Sequence, residues 1–331
     1  MKVVIPTAGF GTRLRPHTWS KPKPLVSVAG KPVLGHVIDM FSNLPNIDEV
    51  IFIVGYLGEQ IEAYIRETYP HLKTRFVKQK QLIGQSHAIW LAREGLAGPV
   101  LIAFVDTIIE TDLRQLADEP AQAVAWVKEV PNPRRFGVAD VSSDGWVKNL
   151  VEKPDDMRNN LAVVGFYYFQ QAERLIEAIA LQMERDTQLN GEYYLVDAIN
   201  ILLDDGLKMR VEPVDVWVDC GKPEALLETN RYLLSHGRDN TAEAQSRANT
   251  LIIPPVYINP SAKIEHAVLG PYVSIGANCI VDNAIISDSI LDDHSRVESI
   301  VLRGSLLGRD VHVQGQPHAL NLGDNAQMDV R

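Results

Sequence analysis

Residues 3–25 read VVIPTAGFGTRLRPHTWSKPKPL, in which a short apolar run gives way at once to a glycine-rich turn. An apolar run that ends at glycines is typical of a buried strand feeding a loop. Gly9 and Gly11 allow a close approach of the backbone and leave N–H groups free to donate, and Thr12 and Arg13 follow directly. The turn therefore predicts a loop that binds phosphate groups.

Two common phosphate-binding motifs do not account for this turn. It lacks the G-x-x-x-x-G-K-[ST] spacing of a P-loop, and Leu14 stands where a dinucleotide-binding fingerprint needs its third glycine. Residues 1–38 contain no Asp or Glu, although the whole chain carries a net charge of -10. A polyphosphate site suits such a stretch because a nearby carboxylate would cancel the attraction, and an ordinary solvated basic face explains it equally well.

Strand and helix patterns alternate through the chain that follows. Apolar runs predict strands at residues 3–5, 50–54, 100–105, 123–127, 163–169 and 211–218, and helical spacing predicts helices at residues 33–41, 59–69, 86–96, 171–183, 195–203 and 223–234. This alternation predicts an α/β fold with a mostly parallel mixed sheet sandwiched by helices. Ligands of such sheets bind beyond the carboxyl ends of the strands, which places the glycine turn and Asp106 at one rim.

The pattern changes near the carboxyl end, where small aliphatic residues recur every five or six positions between Gly, Asn, Asp and Ser. They are Ile258, Ile264, Leu269, Ile275, Ile280 and Ile285. This recurrence predicts a short parallel β-helix of hexapeptide coils, with an irregular small β module as the alternative. We expect a first domain at residues 1–234, a linker or surface segment at 235–250 and the β-helix at 251–331.

Composition excludes several classes of protein. The 331 residues suffice for one large domain plus a smaller module, and 46% hydrophobic with 22% charged residues is ordinary for a globular chain. The net charge of -10 argues against a nucleic-acid partner, and no run reaches the roughly 18 apolar residues of a membrane span, so we expect a cytoplasmic protein without a membrane partner. Cys220 and Cys279 have no metal-ligand spacing and are expected to be buried.

Residues 9–18 and 21–25, GFGTRLRPHT and KPKPL, closely resemble the signature of the sugar-phosphate nucleotidylyltransferases. The resemblance extends from residue 1 to about residue 234, with further motifs in the family's order. It implies a Rossmann-like catalytic domain of the nucleotide-diphospho-sugar transferase type, followed here by a short left-handed β-helix. In such a domain Arg13 would hold the triphosphate and Lys23 would approach the phosphates during transfer. The nucleotide would be lined by Ala8, Gly9, Gly11 and Thr12.

Residues 79–88, QKQLIGQSHA, resemble the family's base-recognition stretch. Gln79 and Gly84 hold the positions that usually meet the base. Gln85 and Ser86 depart from the commoner Thr-Ala or Leu-Ala, which leaves the choice of base open.

Four later motifs complete the resemblance: FGV at residues 136–138, VEKP at 151–154, GEYY at 191–194 with Asp197, which resembles the stretch before the last helix, and WVDCGKP at 217–223. They imply that Gly137 and Glu152 contact the sugar and that Lys153 contacts its phosphate. Trp217 is either a sugar contact or a packing residue. Asp106 and Asp219, each following an apolar run, would together hold Mg²⁺, which prefers few protein oxygens. Thr107 departs from the Asn that thymidylyl-type members tend to have.

The resemblance implies transfer of a nucleotidyl group from a nucleoside triphosphate to a sugar 1-phosphate, with release of pyrophosphate. The substrates expected are dTTP or UTP with glucose 1-phosphate. Guanylyl, cytidylyl and adenylyl transfer remain open, as does a non-catalytic regulatory paralogue that binds nucleotide-sugars. The β-helix could be structural, regulatory or a second, acyltransferase site; its histidines are His266, His294, His312 and His318. Its exposed edge predicts a homo-oligomer.

Overall fold

The computed structural model describes residues 1–41, 44 and 46–316, so that His318 and the rest of the carboxyl end lie outside the described residues. The described chain divides into two compact units. Met1–Ser27 and Lys31–Thr229 belong to the first, and Val28–Gly30 with the chain from Asn230 onward belong to the second.

Short strands and helices alternate up to residue 233. The strands are β1 (Lys2–Pro6), β2 (Ser27–Val28), β3 (Lys31–Pro32), β4 (Glu49–Val54), β5 (Thr74–Lys78), β6 (Val100–Ala103), β7 (Thr107–Glu110), β8 (Ala123–Glu129), β9 (Gly137–Val141), β10 (Val147–Glu152), β11 (Leu161–Phe169), β12 (Met209–Pro213) and β13 (Val216–Asp219). The helices are α1 (Val33–Phe41), α2 (Gly58–Thr68), α3 (Gln85–Leu91), α4 (Ala172–Glu184), α5 (Leu195–Asp204) and α6 (Pro223–Leu233).

A nine-stranded mixed sheet organises the first unit. Its order is β10-β9-β11-β6-β1-β4-β5, and β8 joins it beside β11 with β12 beside β8. Strands β6, β1, β4 and β5 run parallel, whereas β11 is antiparallel to β6 and to β8. The predicted mixed α/β sheet with a parallel centre is therefore confirmed. The carboxyl ends of the four parallel strands share one edge, where β1 opens into the glycine turn.

Both faces of this sheet are buried. Val4 packs into one apolar cluster with α4 and α5, while Val3 and Ile5 pack into another with α1 and α2. Alternate side chains of a strand point to opposite faces, so a fully apolar strand needs helices on both sides. Each such side chain stabilises the fold by about 1.5–3 kcal/mol when buried. A rigid sheet therefore supports the loops at its edge.

Two predicted elements differ from the structure. The helix predicted at 86–96 ends at Leu91 and is followed by a short 3-10 turn, Arg93–Gly95. The single strand predicted at 211–218 is wrong, because the chain forms β12 and β13 in different sheets. Pro213 cannot donate a ladder hydrogen bond and ends β12. Strand β13 pairs instead with β7.

The second unit contains a parallel β-helix, as predicted, and the alternative of an irregular module is excluded. Its strands are β14 (Thr250–Ile252), β15 (Val256–Ile258), β16 (Lys263–Glu265), β17 (Ala267–Leu269), β18 (Val273–Ile275), β19 (Ile280–Asp282), β20 (Ile285–Ser287), β21 (Ile290–Leu291), β22 (Arg296–Glu298), β23 (Val301–Arg303), β24 (Leu306–Leu307) and β25 (His312–Gln314), preceded by α7 (Thr241–Ala244). Every third strand stacks in register, which gives three parallel sheets.

The corners of the β-helix explain why the repeat is only approximate in the sequence. His266, Asn283 and Ser299 follow successive strands of one sheet and have left-handed φ values of 49°, 49° and 51°. Small polar residues tolerate this conformation best, and His is enriched in it as well.

Among the described residues, no helix combines the length and apolar character that crossing a bilayer requires.

Candidate active site

A deep cleft lies at the sheet edge where the parallel strands of the first unit end. It consists of two adjoining cavities of about 570 and 430 Å³. Arg13, Phe104 and Asp106 line both of them. The larger cavity is also lined by Gly137, Glu152, Lys153, Trp217 and Asp219, and the smaller by Gly9, Gly11, Thr12 and Lys23.

The glycine turn is held against Lys23. Gly11 has a φ of 62°, and a Cβ there would lie 2.8 Å from Cβ of Lys23 and 3.2 Å from Cγ2 of Thr18. The Thr18 hydroxyl donates to the Gly11 carbonyl at 2.8 Å, which fixes the turn. Only glycine satisfies both the left-handed backbone and the close packing. The turn thus keeps a lysine beside its backbone N–H groups.

The two aspartates meet through a small antiparallel ladder. Strand β7 starts just after Asp106, strand β13 ends at Asp219, and the register pairs Thr107 with Asp219. The backbone N–H of Cys220 donates to the Asp106 carbonyl at 2.8 Å, which extends the ladder by one step. Residues 113 positions apart in the sequence (219 − 106) therefore become neighbours at one rim.

Positive charge surrounds this carboxylate pair. The Lys23 Nζ lies 3.6 Å from Oδ2 of Asp106, whose side chain remains 46% exposed. A Cβ on Gly221 would lie 2.8 Å from Oδ1 of Asp219 and 3.3 Å from Nη2 of Arg13. The Gly221 N–H donates to Oδ1 of Asp219 at 2.6 Å. Arg13, Lys23 and both aspartates therefore face one space, large enough to admit a polyanion with a cation.

The far end of the larger cavity carries a second charged group. Lys153 donates from Nζ to the Tyr194 hydroxyl at 2.6 Å and lies 3.7 Å from Oε1 of Glu152. A Cβ on Gly137 would come within 3.2 Å of Oε2 of Glu152, so the strand start at Gly137 leaves this carboxylate its room. A carboxylate and an ammonium group are thus placed side by side.

The pKa values of Glu152 and Lys153 both lie above their ordinary values, for different reasons. Burial raises the pKa of Glu152, the charge of Lys153 opposes that shift, and the carboxylate of Asp197 adds to it. Burial by itself lowers the pKa of Lys153, but the hydrogen bond to the Tyr194 hydroxyl and the negative charge of Glu152 favour the charged form, so the pKa lies above its ordinary value. Lys153 therefore stays cationic throughout the physiological pH range.

Trp217 packs edge-on against Phe136, with ring centroids 4.9 Å apart. Its Nε1 is sealed from solvent and has no hydrogen-bond partner among the described residues. Trp217 forms a wall of the larger cavity mainly through its ring.

Ala8, Gln79 and Gly84 do not line either cavity. Gln79 follows directly after β5 and is only 6% exposed. Gly84 has a φ of 115°, and a Cβ there would lie 2.3 Å from the backbone N of Tyr193. This close approach holds the segment before α3 against the segment before α5.

Comparison with known proteins agrees with this geometry. Residues 2–236 match the nucleotidyl transferase family. The chain belongs to that family. A glucose-1-phosphate thymidylyltransferase of Streptomyces griseus is 30% identical over 359 residues, which cover 100% of this chain and 99% of that protein. A glucose-1-phosphate thymidylyltransferase of Streptomyces antibioticus is 29% identical over 363 residues and covers both chains completely.

A solved structure supports the fold of this nucleotidyl transferase. A UDP-glucose pyrophosphorylase complexed with UDP-glucose has a TM-score of 0.62 at 23% identity, covering 71% of this chain and 98% of its own. At that identity the likeness concerns the fold alone. The two Streptomyces relatives extend over the β-helix as well.

Sequence reasoning missed several cleft residues of this nucleotidyl transferase. Arg134 and Arg135 line the larger cavity just before the FGV motif, and Glu192, which lies in the GEYY motif but was assigned no role, lines the smaller one. The two consecutive arginines beside a sugar motif were a usable signal, since paired cations next to a glycine turn suit an anionic substrate. Tyr167 also lines the larger cavity, but the sequence carried no signal for it, because it looks like any aromatic residue of a buried strand.

Elsewhere, one group on the β-helix brings three metal-ligating side chains together. Among the described residues, Glu265, His266 and Asp282 place one ligand atom each within 4.8 Å of one another. The group is largely exposed, and Nδ1 of His266 pairs with Oδ1 of Asp282 at 3.2 Å.

Proposed function

We propose that this nucleotidyl transferase joins dTTP or UTP to glucose 1-phosphate and releases pyrophosphate and a nucleotide-sugar. The observation that carries the proposal is the meeting of Asp106 and Asp219 at the rim that Arg13 and Lys23 also face. The glucose-1-phosphate thymidylyltransferases of Streptomyces, alike over their whole length, support the choice of thymidylyl or uridylyl transfer to glucose 1-phosphate.

Mg²⁺ fits the donor set of this site. Two carboxylates held by neighbouring strands offer hard oxygen ligands and leave room for water and phosphate oxygens, which is the coordination that Mg²⁺ prefers. We assign Asp106 and Asp219 as its ligands. When bound there, the cation offsets the negative charge of the triphosphate and orients it.

The chain's own residues would bind and align the two substrates. An oxygen of the sugar 1-phosphate attacks the α-phosphorus, the bond from that phosphorus to the oxygen bridging to the β-phosphorus breaks, and pyrophosphate leaves with that oxygen. No protein nucleophile is required. Arg13 and Lys23 hold the triphosphate against the glycine turn, and Lys153 directs the attacking phosphate. Catalysis then rests on positioning and on charge neutralisation.

The sugar would occupy the larger cavity. The carboxyl group of Glu152, whose pKa burial raises, would form hydrogen bonds with sugar hydroxyls, and Gly137 leaves space beside it. Arg134 and Arg135 add positive charge at the same end, where the phosphate of the sugar substrate carries its negative charge. Trp217 supplies an apolar wall for the ring of the sugar. Ala8, Gly9, Gly11 and Thr12 would contact the nucleotide and its phosphates.

A non-catalytic nucleotide-sugar-binding paralogue is the second candidate. Such a protein can lose a catalytic charge without losing its fold. Here Arg13, Lys23, Asp106, Lys153 and Asp219 all line the same cleft, which favours a working enzyme. Guanylyl, cytidylyl and adenylyl transfer stay as alternatives in the choice of base.

A substrate matrix separates these candidates. Five triphosphates, dTTP, UTP, CTP, GTP and ATP, are each combined with glucose 1-phosphate, and the two favoured triphosphates also with other sugar 1-phosphates, in the presence of Mg²⁺. Release of pyrophosphate is measured. We expect the fastest release with dTTP or UTP and glucose 1-phosphate. Nucleotide binding without any pyrophosphate would support the regulatory paralogue.

A further inference from the structure

Gln79 stands at the same rim as the cleft although it lines neither cavity. It follows the last residue of β5, which is parallel to β1 and β4, and its backbone N–H donates to the carbonyl of Val54 at the end of β4 at 2.8 Å. Carboxyl ends of parallel strands form the ligand-binding edge of such sheets. A side chain held at this edge can bind a ligand there if one of its polar atoms has no hydrogen-bond partner within the protein.

The amide of Gln79 is fixed in one orientation by two neighbours. Its Nε2 lies 3.2 Å from the carbonyl oxygen of Gly84 and 3.3 Å from Nδ1 of His87. A carbonyl oxygen can only accept, so the NH₂ end of the amide must be the end that faces Gly84. The same NH₂ group then donates its other proton to His87, whose Nδ1 must be the unprotonated nitrogen of the ring.

Two influences act in opposite directions on the pKa of His87. The ring forms a hydrogen bond with the backbone of Gln81 that favours its protonated form, as a bond to a carbonyl oxygen does. An amide NH₂ can only donate, so Nδ1 of His87 is the acceptor of the bond from Gln79. Burial of His87, the larger influence, lowers its pKa and keeps the ring neutral. A chain of hydrogen bonds thus runs from Gln81 through His87 and Gln79 to Gly84.

This chain leaves one polar atom of Gln79 without a partner. Its carbonyl oxygen Oε1 makes no hydrogen bond with any residue in the described part of the chain, whereas both protons of its amide are used. Oε1 of Gln182 is sealed from solvent, but Oε1 of Gln79 is not among the sealed, unpaired atoms. An otherwise buried side chain thus presents a single, fixed acceptor.

We propose that His87 is a positioning residue that locks the Gln79 amide with Oε1 toward the base, so that the site selects bases with a ring N–H. Uracil and thymine carry this proton at N3, where cytosine has a lone pair that would repel Oε1. An amide free to flip would offer its NH₂ to cytosine instead. This selection of the base rests on the proposed function. It adds His87 as the residue that fixes the orientation of the selecting amide.

Binding of UTP and CTP, measured by calorimetry without sugar phosphate, tests this proposal. We expect the wild-type chain to bind UTP more tightly than CTP. His87→Phe keeps a ring but loses the acceptor, and should reduce this preference about tenfold, the worth of roughly one neutral hydrogen bond. His87→Asn restores an acceptor near the position of Nδ1 and should restore the preference. His71→Phe, which changes an exposed histidine outside both cavities, is the matched control.

A double-mutant cycle shows whether His87 acts through Gln79. In a Gln79→Ala background, His87→Phe should change the UTP/CTP preference no further. An unchanged preference in His87→Phe, or an equal loss in the Gln79→Ala background, would overturn the proposal. The affinity for glucose 1-phosphate should stay constant in every variant. Absence of pyrophosphate release by the wild-type chain would count against the proposed function instead, because the binding preference is measured independently of turnover.

Discussion

The single residues on which the account depends most are Asp106 and Asp219. Each was expected from its own motif, and what the sequence could not provide was their contact. They become neighbours because Thr107 pairs with Asp219 across two short strands. A carboxylate at the end of a strand is otherwise often only a turn former. Their adjacency is what favours a shared cation over two unrelated turns.

Removing either carboxylate should therefore stop the metal-dependent reaction. We expect Asp106→Asn and Asp219→Asn each to lower kcat by about 10²–10³-fold, as the loss of a preorganised charge in the site does. Pyrophosphate release at several Mg²⁺ concentrations measures the effect. Asp140→Asn, on the exposed side of β9, is the control and should behave like the wild type. Full activity in both site variants would refute the metal assignment.

Glu152 gives a prediction for the pH dependence of stability. Because burial raises its pKa above the ordinary 4.5, the folded chain holds the proton more tightly than the unfolded chain. Stability from this group is therefore fully present below about pH 4.5 and is lost as the pH rises through the raised pKa. Glu152→Gln should gain stability relative to the wild type between pH 4 and pH 7, as measured by urea unfolding.

The exposed Glu129 provides the comparison. Glu129→Gln should follow the wild-type pH profile closely. A Glu152→Gln variant whose stability runs parallel to that of the wild type over the whole range would show that Glu152 is solvated rather than buried.

Among the elements, the parallel strands and the helices were predictable, whereas some pairings were not. Apolar runs and helical spacing predicted β1, β4, α1 and α5 because each element meets the core with a regular period. The run at 211–218 looked like one strand because it is rich in valine, at positions 211, 214, 216 and 218. Pro213 ends β12, and the residues after it pair with β7, a partner that is not encoded locally. The site ladder of β7 and β13 was hidden for this reason.

Gly84 connects two elements and should not tolerate a side chain. A Cβ there would meet the Tyr193 backbone at 2.3 Å, and the φ of 115° is itself unfavourable for alanine. We expect Gly84→Ala to destabilise the fold by several kcal/mol, measured by urea unfolding. Gly145→Ala, at a φ of 86° with open space around it, should cost only about 1–2 kcal/mol. Equal losses of stability in the two variants would mean that the cost at Gly84 comes from backbone strain and not from the contact with Tyr193.

In the whole molecule, one cysteine lies in each unit and both are buried. Burial raises the pKa of Cys220 to about 12 and that of Cys279 to about 11. Thiolate is therefore scarce at pH 8, and we expect neither thiol to react with a disulfide reagent within minutes in the native protein. Both should react in urea. A fast native thiol would show that its unit opens or is packed differently.

The division of the whole chain was foreseen in outline. A composition shift and a six-residue recurrence predicted the β-helix, and the three stacked sheets confirm its class. The ranges 1–234, 235–250 and 251–331 remain predictions, as does a homo-oligomer. Sedimentation of the intact chain would reveal the oligomeric state. The approximate hexapeptide period could be recognised in the sequence because each coil must place its aliphatic residue inward.

The position of a bound cation would show whether Asp106 and Asp219 hold one metal ion together. Crystals of the intact chain grown with Mn²⁺ in place of Mg²⁺ and a non-reacting UTP analogue would show the ion by its anomalous scattering. We predict a site within about 2.5 Å of carboxylate oxygens of both Asp106 and Asp219, in contact with the triphosphate. An ion that contacts neither aspartate while the analogue is bound, or that occupies only the Glu265, His266 and Asp282 group, would contradict the account.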